Sequence, residues 1–589
     1  MASSPTQAAA APAALLLLVL ALAPLWLIGM FDRGLWTPDE PREADIAWRM
    51  STQPDRALPQ LAGTPFLEKP PLSYWMAAGA ISAFGDSPAA ARAPNLLYAV
   101  IAALAVGALA FAMELPALPA LIAALVAASA LTAYRVAIWL APDASLLAGC
   151  ALALLGAWLG LRAPAGARKA GGYALLHIGA AAGFMAKSAP GWLVPGLALL
   201  TLIVWERRWQ ELRRWELYAG LALQALIIGP WIVAVARSAH GADALRTLFW
   251  NNLVGRFTQL SSPATLDYTT GHHNRPGKYL FELPLYLLPW TLVVAAALGR
   301  AWTRMREPGA RGTAWRFALS SCVPFLVLLS FAATARDIYA APALLGFGLL
   351  AGLWAEDARR LPRRGDRLAA LATAALVGVM ALAFALALAV LAAAGAGAGA
   401  PVLYTLAVPG VIVAAAVGLG FAVRAARGGD FPRSLAWSYA AYALALCLAA
   451  RLILPVVDRW QDLPALAARI HSDTAQRPLA LLDPDETTIA MLDHGLATRF
   501  TVLASGTTGA RGALDGWFAA HGKAARVLVL LPGHASGALT ELLARLHPLP
   551  APGDGVAGTL TAAGAAALVA RYELPQGRRY ALLAPPPAR

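Results

Sequence analysis

Apolar runs of about 18 or more residues recur along the first three quarters of this chain, each long enough to cross a hydrocarbon layer about 30 Å thick. Lipid offers no hydrogen-bond partners, so such runs have to satisfy their backbone internally, as helices. Candidate spans lie near 11–30, 92–112, 116–133, 142–162, 172–187, 190–205, 215–236, 281–299, 316–333, 337–355, 368–395, 402–424 and 435–455. The composition agrees: 59% hydrophobic, 14% charged and a mean hydropathy of +0.59. The class is a polytopic, all-α membrane protein with about 13 transmembrane helices.

The net charge of +14 would suit a nucleic-acid binder, but its placement argues against one. Basic residues gather in short loops: Arg207, Arg208, Arg213 and Arg214; Arg300, Arg304, Arg306, Arg311 and Arg316; Arg359, Arg360, Arg363, Arg364 and Arg367. That is the positive-inside pattern, which sets orientation. With those loops cytoplasmic, residues 31–91, 134–142, 237–280 and 334–336 and the C-terminal tail emerge on the opposite, periplasmic or exterior face. No Lys or Arg precedes the long first run, which argues against a cleaved signal peptide. The three cysteines, Cys150, Cys322 and Cys447, all fall in spans and suggest neither a disulfide framework nor a zinc site.

Composition shifts after residue 455, dividing the chain into a membrane domain, 1–455, and a domain at 456–589. The second has β-like runs at Pro478–Asp483 and Arg526–Leu531 and amphipathic stretches at Leu463–Ile470 and Leu539–Leu546. A hairpin around Gln576-Gly577 could pair Tyr572–Leu574 with Arg579–Leu583. This reads as a small soluble α/β domain of about 130 residues. Gly506, Gly509 and Gly512 do not form a dinucleotide fingerprint, so no nucleotide is expected.

The charges that need explaining stand in the first long loop: Trp36-Thr37-Pro38-Asp39-Glu40-Pro41-Arg42-Glu43, then Phe66-Leu67-Glu68-Lys69-Pro70-Pro71. Charge beside a bilayer is costly unless it faces water or a polar cavity. The plain reading of Asp39-Glu40 is an acidic helix start; that of Lys69 is a snorkelling interface lysine. The functional reading is a catalytic cavity in which an ammonium meets a phosphate. Asp143 after Pro142, and Lys187, are open to the same two readings. In the second long loop Arg256, Arg275 and Lys278 form a cationic wall, and arginine suits bidentate phosphate contact. The His272-His273 pair is weak metal evidence, since adjacent side chains diverge. Arg336 opens a helix, where the dipole disfavours a cation, so it needs an anionic partner, Asp337 or a ligand.

Asp39-Glu40-Pro41-Arg42, Phe66-Leu67-Glu68-Lys69-Pro70-Pro71, Pro142-Asp143, Gly255-Arg256-Phe257, His273 with Leu287-Leu288-Pro289-Trp290, and Arg336…Tyr339…Pro342 together resemble the GT-C class of polyprenyl-phosphate-dependent glycosyltransferases. Within the protein O-mannosyltransferase-like superfamily, the likeness points to the bacterial branch that includes the 4-amino-4-deoxy-L-arabinose transferase of lipid A. It implies a GT-C fold in the inner membrane with the C-terminal domain in the periplasm. It also implies a polyprenyl-phosphate-linked sugar donor and a lipid A or other glycolipid acceptor. By this likeness Asp39 and Asp143 are catalytic, while Lys69, Arg256, Arg336 and Tyr339 surround the donor phosphate. Glu40, Arg42 and Arg275 support them, and Glu68 with His273 would hold a divalent metal. Relatives carry an acid–His pair ahead of the Arg-Phe; here Asn251 and Asn252 stand instead. A related transferase with a protein or glycolipid hydroxyl as acceptor is the alternative enzyme. A lipid transporter is the alternative from another class, but transporters carry their charges at the bilayer midplane in repeated halves, unlike this chain.

Overall fold

The computed structural model describes residues 5–254, 276–332, 336–393, 401–474 and 477–587, apart from 495, 497, 507–508 and 533–552. The chain opens with α1 (Pro5–Leu27), α2 (Glu40–Thr52), a short antiparallel pair, β1 (Gln60–Leu61) and β2 (Thr64–Pro65), and α3 (Leu72–Phe84). There follow α4 (Pro88–Ala112), α5 (Ala117–Ser129), α6 (Leu131–Ile138), α7 (Asp143–Arg162), α8 (Ala167–Lys187), α9 (Pro190–Trp205), α10 (Trp215–Ala236) and α11 (Gly241–Arg246). After 275 come α12 (Lys278–Tyr286), α13 (Thr291–Arg304), α14 (Gly309–Ser320), α15 (Val323–Leu329), α16 (Ala343–Arg360), α17 (Arg364–Ala393), α18 (Pro401–Arg427) and α19 (Phe431–Trp460).

Each of the thirteen apolar runs falls on helix. Among the described residues, however, only seven helices have the length and composition of a full span, or nine if each bent pair counts as one. The pairs are α5 with α6, bent by 65°, and α12 with α13, bent by 120°. The remainder are short, like α3 and α9, or carry charge near their ends. Examples are α8 with Lys169 and Lys187, and α16 with Glu356, Asp357, Arg359 and Arg360. The result is a mostly helical, multi-pass membrane protein.

Glycines set the contact that matters most for the site. A methyl group on Gly156 would lie 2.1 Å from the Leu176 backbone nitrogen, and one on Gly149 2.6 Å from that of Gly183. The α7–α8 hairpin therefore packs backbone to backbone, as small residues allow in lipid. Antiparallel packing sets the first residue of α7, Asp143, against the last of α8, Lys187. The opposite ends of the helices have their own lock, where Arg300 pairs with both Asp357 and Asp366.

Beyond α19 lie α20 (Leu463–Thr474), β3 (Leu479–Leu482), α21 (Glu486–Asp493), β4 (Thr501–Leu503), α22 (Gly509–His521), β5 (Arg526–Leu531), α23 (Gly555–Ala562), β6 (Ala567–Glu573) and β7 (Arg579–Ala584). The sheet order is β4-β3-β5-β7-β6, parallel through the first three strands and antiparallel through the rest. Alternation along β3 sends Ala480 and Leu482 to one apolar cluster with α22 and α23, and Leu479 and Leu481 to another with α20 and α21. The β6–β7 hairpin pairs Tyr572 with Tyr580, as the sequence suggested. The amphipathic stretch at 539–546 lies outside the described residues.

Candidate active site

Trp36 to Lys69 forms the floor of the site, and the last membrane helix anchors it. Asp458 near the end of α19 accepts hydrogen bonds from the Gly34 amide at 2.7 Å and the Trp36 indole at 2.8 Å. Asp39 then takes the N-cap position of α2, but its carboxylate does not cap the helix. Instead it accepts two parallel hydrogen bonds from Arg336, at 2.7 and 2.8 Å, across 297 residues of sequence. Burial favours the neutral acid, yet Arg42 and Arg336 outweigh it and hold Asp39 well below the usual carboxylate range. Asp39 is thus a buried, permanently ionised carboxylate, and the helix-start reading does not account for it. Arg336 finds its anion in Asp39, whereas Asp337 pairs with Arg135 at 2.5 Å.

Glu40, one residue on, is wholly buried. Arg33 and Arg92 both clasp it, and it accepts the Trp36 and Leu140 amides at 2.8 Å. Burial would raise its pKa, but Arg92 and Arg33 bring it down to about 2. Because no donor of Glu40 faces the cavity, it ties the first loop to α4 and to the 138–140 turn.

A second branch runs from Arg42. It donates to Glu43 at 2.7 Å, pairs with Glu486 at the start of α21, and lies over the Phe66 ring at 5.7 Å. Lys69 donates to the same Glu43 oxygen at 2.7 Å. Burial and Arg42 disfavour its charge, but Glu43 and Glu68 prevail and keep it an ammonium. Just beyond Pro70-Pro71, Ser73 bonds Ser145 at 2.7 Å, fastening this branch to the first turn of α7. There Asp143 accepts from Lys187 at 2.5 Å, and the Lys187 ammonium stands 4.0 Å over the Tyr339 ring. Tyr339 and Arg336 lie on one turn, 337–340 and its N-cap, which closes the circuit back to Asp39.

Asp39, Arg42, Lys69, Asp143, Arg336 and Tyr339 therefore belong to one connected network of charged and polar side chains, and Glu40 is held apart from it by Arg33 and Arg92. Arg256, Arg275 and His273 lie outside the described residues, and Lys278 opens α12, 3.9 Å from Glu282. Glu68 sits 3.5 Å from Lys69 and 3.6 Å from Arg42, a setting that suits a carboxylate between cations and poorly suits a divalent ion. Among the described residues no three His, Cys, Asp or Glu side chains form a metal-sized cluster.

Two participants were not singled out from the sequence. Glu486 comes from the C-terminal domain, 444 residues from its partner Arg42, and nothing local in the sequence marks it. Arg92 carries a signal that could have found it, a full charge inside an apolar span.

Fold and site together define a multi-pass helical membrane protein whose charged pocket sits beneath an α/β domain. Residues 68–233 match the dolichyl-phosphate-mannose-protein mannosyltransferase family. The chain is 29% identical to the undecaprenyl phosphate-alpha-4-amino-4-deoxy-L-arabinose arabinosyl transferase of Edwardsiella ictaluri, over 60% of this chain and 61% of that one. It is 30% identical to the Pseudomonas paraeruginosa protein of the same name, over 61% and 63%. The match thus spans less than two thirds of these curated relatives. In fold the chain is similar to ArnT from Cupriavidus metallidurans, solved with undecaprenyl phosphate bound and in the apo state. The TM-scores are 0.66 and 0.65 at 20% identity, covering 97% of this chain in both cases. The chain is a relative of these transferases in sequence and shares the ArnT fold, as the first-loop motifs implied.

Proposed function

We propose that this protein is a membrane glycosyltransferase that moves a sugar, 4-amino-4-deoxy-L-arabinose, from undecaprenyl phosphate to a lipid A phosphate. The reaction takes place on the periplasmic face of the inner membrane. In this reading the thirteen apolar segments span or enter the bilayer, and the C-terminal domain covers the site from the periplasm.

One observation supports the proposal: three cations from separate segments, Lys69, Lys187 and Arg336, are each paired with a carboxylate, Glu43, Asp143 and Asp39, within one connected network of side chains. Each cation is held by a carboxylate, so the pocket is assembled and charged before any ligand enters. A donor phosphate would exchange with those carboxylates, taking the guanidinium of Arg336 and the ammonium groups of Lys69 and Lys187. The carrier phosphate gains negative charge as the sugar departs, and cations fixed at that position stabilise the transition state more than the ground state. The family likeness alone assigns Arg256 to the same donor phosphate and Arg275 to a supporting role.

A phosphate acceptor, already ionised, fits an Asp39 that is ion-paired in the unliganded site better than a hydroxyl acceptor does. A carboxylate held far below neutrality is a weak proton acceptor, and a general base works best near the operating pH. A hydroxyl acceptor would need such a base; a phosphate acceptor is already ionised and needs none. Asp39 therefore serves to orient the acceptor and to offset positive charge at the anomeric carbon, with Asp143 holding Lys187 in place. The sugar passes in line from carrier oxygen to acceptor oxygen with inversion.

Mass spectrometry of lipid A from cells with and without the chain tests this. The expected result is an aminopentose mass added to a phosphate only when the chain is present, and lost with Asp39→Asn. Lipid A of unchanged mass would overturn the acceptor assignment and direct the search to hydroxyl acceptors.

A further inference from the structure

At the membrane face opposite the carboxylate pocket lies a second polar cavity that the reaction does not use. Helix α7 begins at Asp143 in the pocket and ends 20 residues later at Arg162, about 30 Å away at 1.5 Å per residue. There the ends of α7, α9 and α13 and the start of α14 border an open cavity of about 730 Å³. Four arginines line it, Arg162, Arg208, Arg306 and Arg316, with Glu206, Thr313 and Trp205.

The local network accounts for only part of that charge. Glu206 accepts from Arg208 at 2.7 Å and from Arg316 at 2.8 Å, and takes the Thr313 hydroxyl at 2.6 Å. Arg316 also caps the carbonyls of Met305 and Glu307 at 2.7 and 3.0 Å. These bonds join helix ends and explain Arg208, Arg316 and Glu206 as structure. They leave Arg162 and Arg306, which make no ion pair among the described residues; Arg162 lies over the Trp158 ring, and Arg306 over the Trp302 ring while donating to the Trp302 carbonyl. The cavity carries four cations against one carboxylate.

The surroundings identify the medium. Trp205, Trp209, Trp215 and Trp302 are all exposed at this level, the position that tryptophans take at a bilayer–water boundary. A ligand here has an anionic end for Arg162 and Arg306 and an apolar end that stays among lipid-facing side chains. We infer that this cavity is a binding site for the headgroup of an anionic phospholipid of the leaflet opposite the active site.

Native mass spectrometry of the purified full chain, loaded with equimolar phosphatidylglycerol and phosphatidylcholine of matched chains, tests the inference. The wild type should retain phosphatidylglycerol selectively. Removing one arginine should lower retention about fivefold and removing both about thirtyfold, the effect of single charges near a membrane surface. Arg306→Gln alone suffices should Arg162→Gln/Arg306→Gln fail to fold. Equal retention of both lipids, wild-type retention by the arginine variants, or displacement by millimolar inorganic phosphate or glycerol phosphate would overturn it. The last outcome would indicate a soluble anion.

Discussion

Adjacent carboxylates show how far apart neighbouring residues can stand in function. Asp39 meets Arg336 at the pocket wall, whereas Glu40 lies fully buried between Arg33 and Arg92. Removing one member of a buried charge cluster strands the others and costs about 3–5 kcal/mol. Glu40→Gln should therefore markedly lower the thermal midpoint of the detergent-solubilised protein. Asp39→Asn, whose partner Arg336 keeps 34% side-chain exposure, should abolish transfer with little loss of Tm. Equal thermal losses would erase the distinction. The sequence made both residues conspicuous because charge is scarce in this chain, but it could not assign partners. The hydrogen bonds that separate the two roles reach 52 residues on, to Arg92, and 297, to Arg336. No local propensity encodes contacts of that range.

Among elements, the docking of α21 on α2 has the clearest consequence. Besides the Arg42–Glu486 pair, Arg49 donates to Asp493 at 2.8 Å, and His494 stacks on Trp48 and faces Asp86 at 3.1 Å. Asp45, buried beneath Arg49, accepts the Ala62 amide at 3.0 Å. Burial, with Asp493 beside it, pushes its pKa up to about 8, against 3.8 for an ordinary aspartate. The folded protein then binds a proton that the unfolded chain releases, so this contribution is complete below pH 3.8 and declines as pH rises towards 8. Asp39 and Glu40 are displaced the other way and act only at more acid pH. Between pH 5 and 8 the wild-type Tm should fall as pH rises, and Asp45→Asn should flatten that slope, other groups being common to both. Identical slopes would remove Asp45 from the interface energetics. The sequence marked the start of α2 at the acidic pair, but not α21. That helix starts at a short Asp485 cap, whose side chain accepts the Thr488 amide at 2.9 Å, in a stretch with little apolar periodicity.

For the whole molecule, the membrane helices were the legible part because lipid imposes a length and a composition that a single sequence displays. The bends in α5–α6 and α12–α13 were not, since a break of one to four residues barely alters an apolar run. Strands β3 and β5 were visible as short apolar runs, and the β6–β7 hairpin as paired runs around Gln576-Gly577. The three-residue β4, held by pairing with β3, was not. What the fold accomplishes is to link six chain segments, from Trp36 to Glu486, in one network of charged side chains, the site proposed above for a lipid-linked phosphate. The most direct test is the affinity of the purified full chain for undecaprenyl phosphate, with wild type set against Arg336→Gln, Lys69→Gln and Lys187→Gln. Loss of a charge-assisted contact of about 1.5–3 kcal/mol should raise Kd by roughly tenfold or more in each single variant and further in the triple. An unchanged Kd in all three would contradict a shared phosphate site.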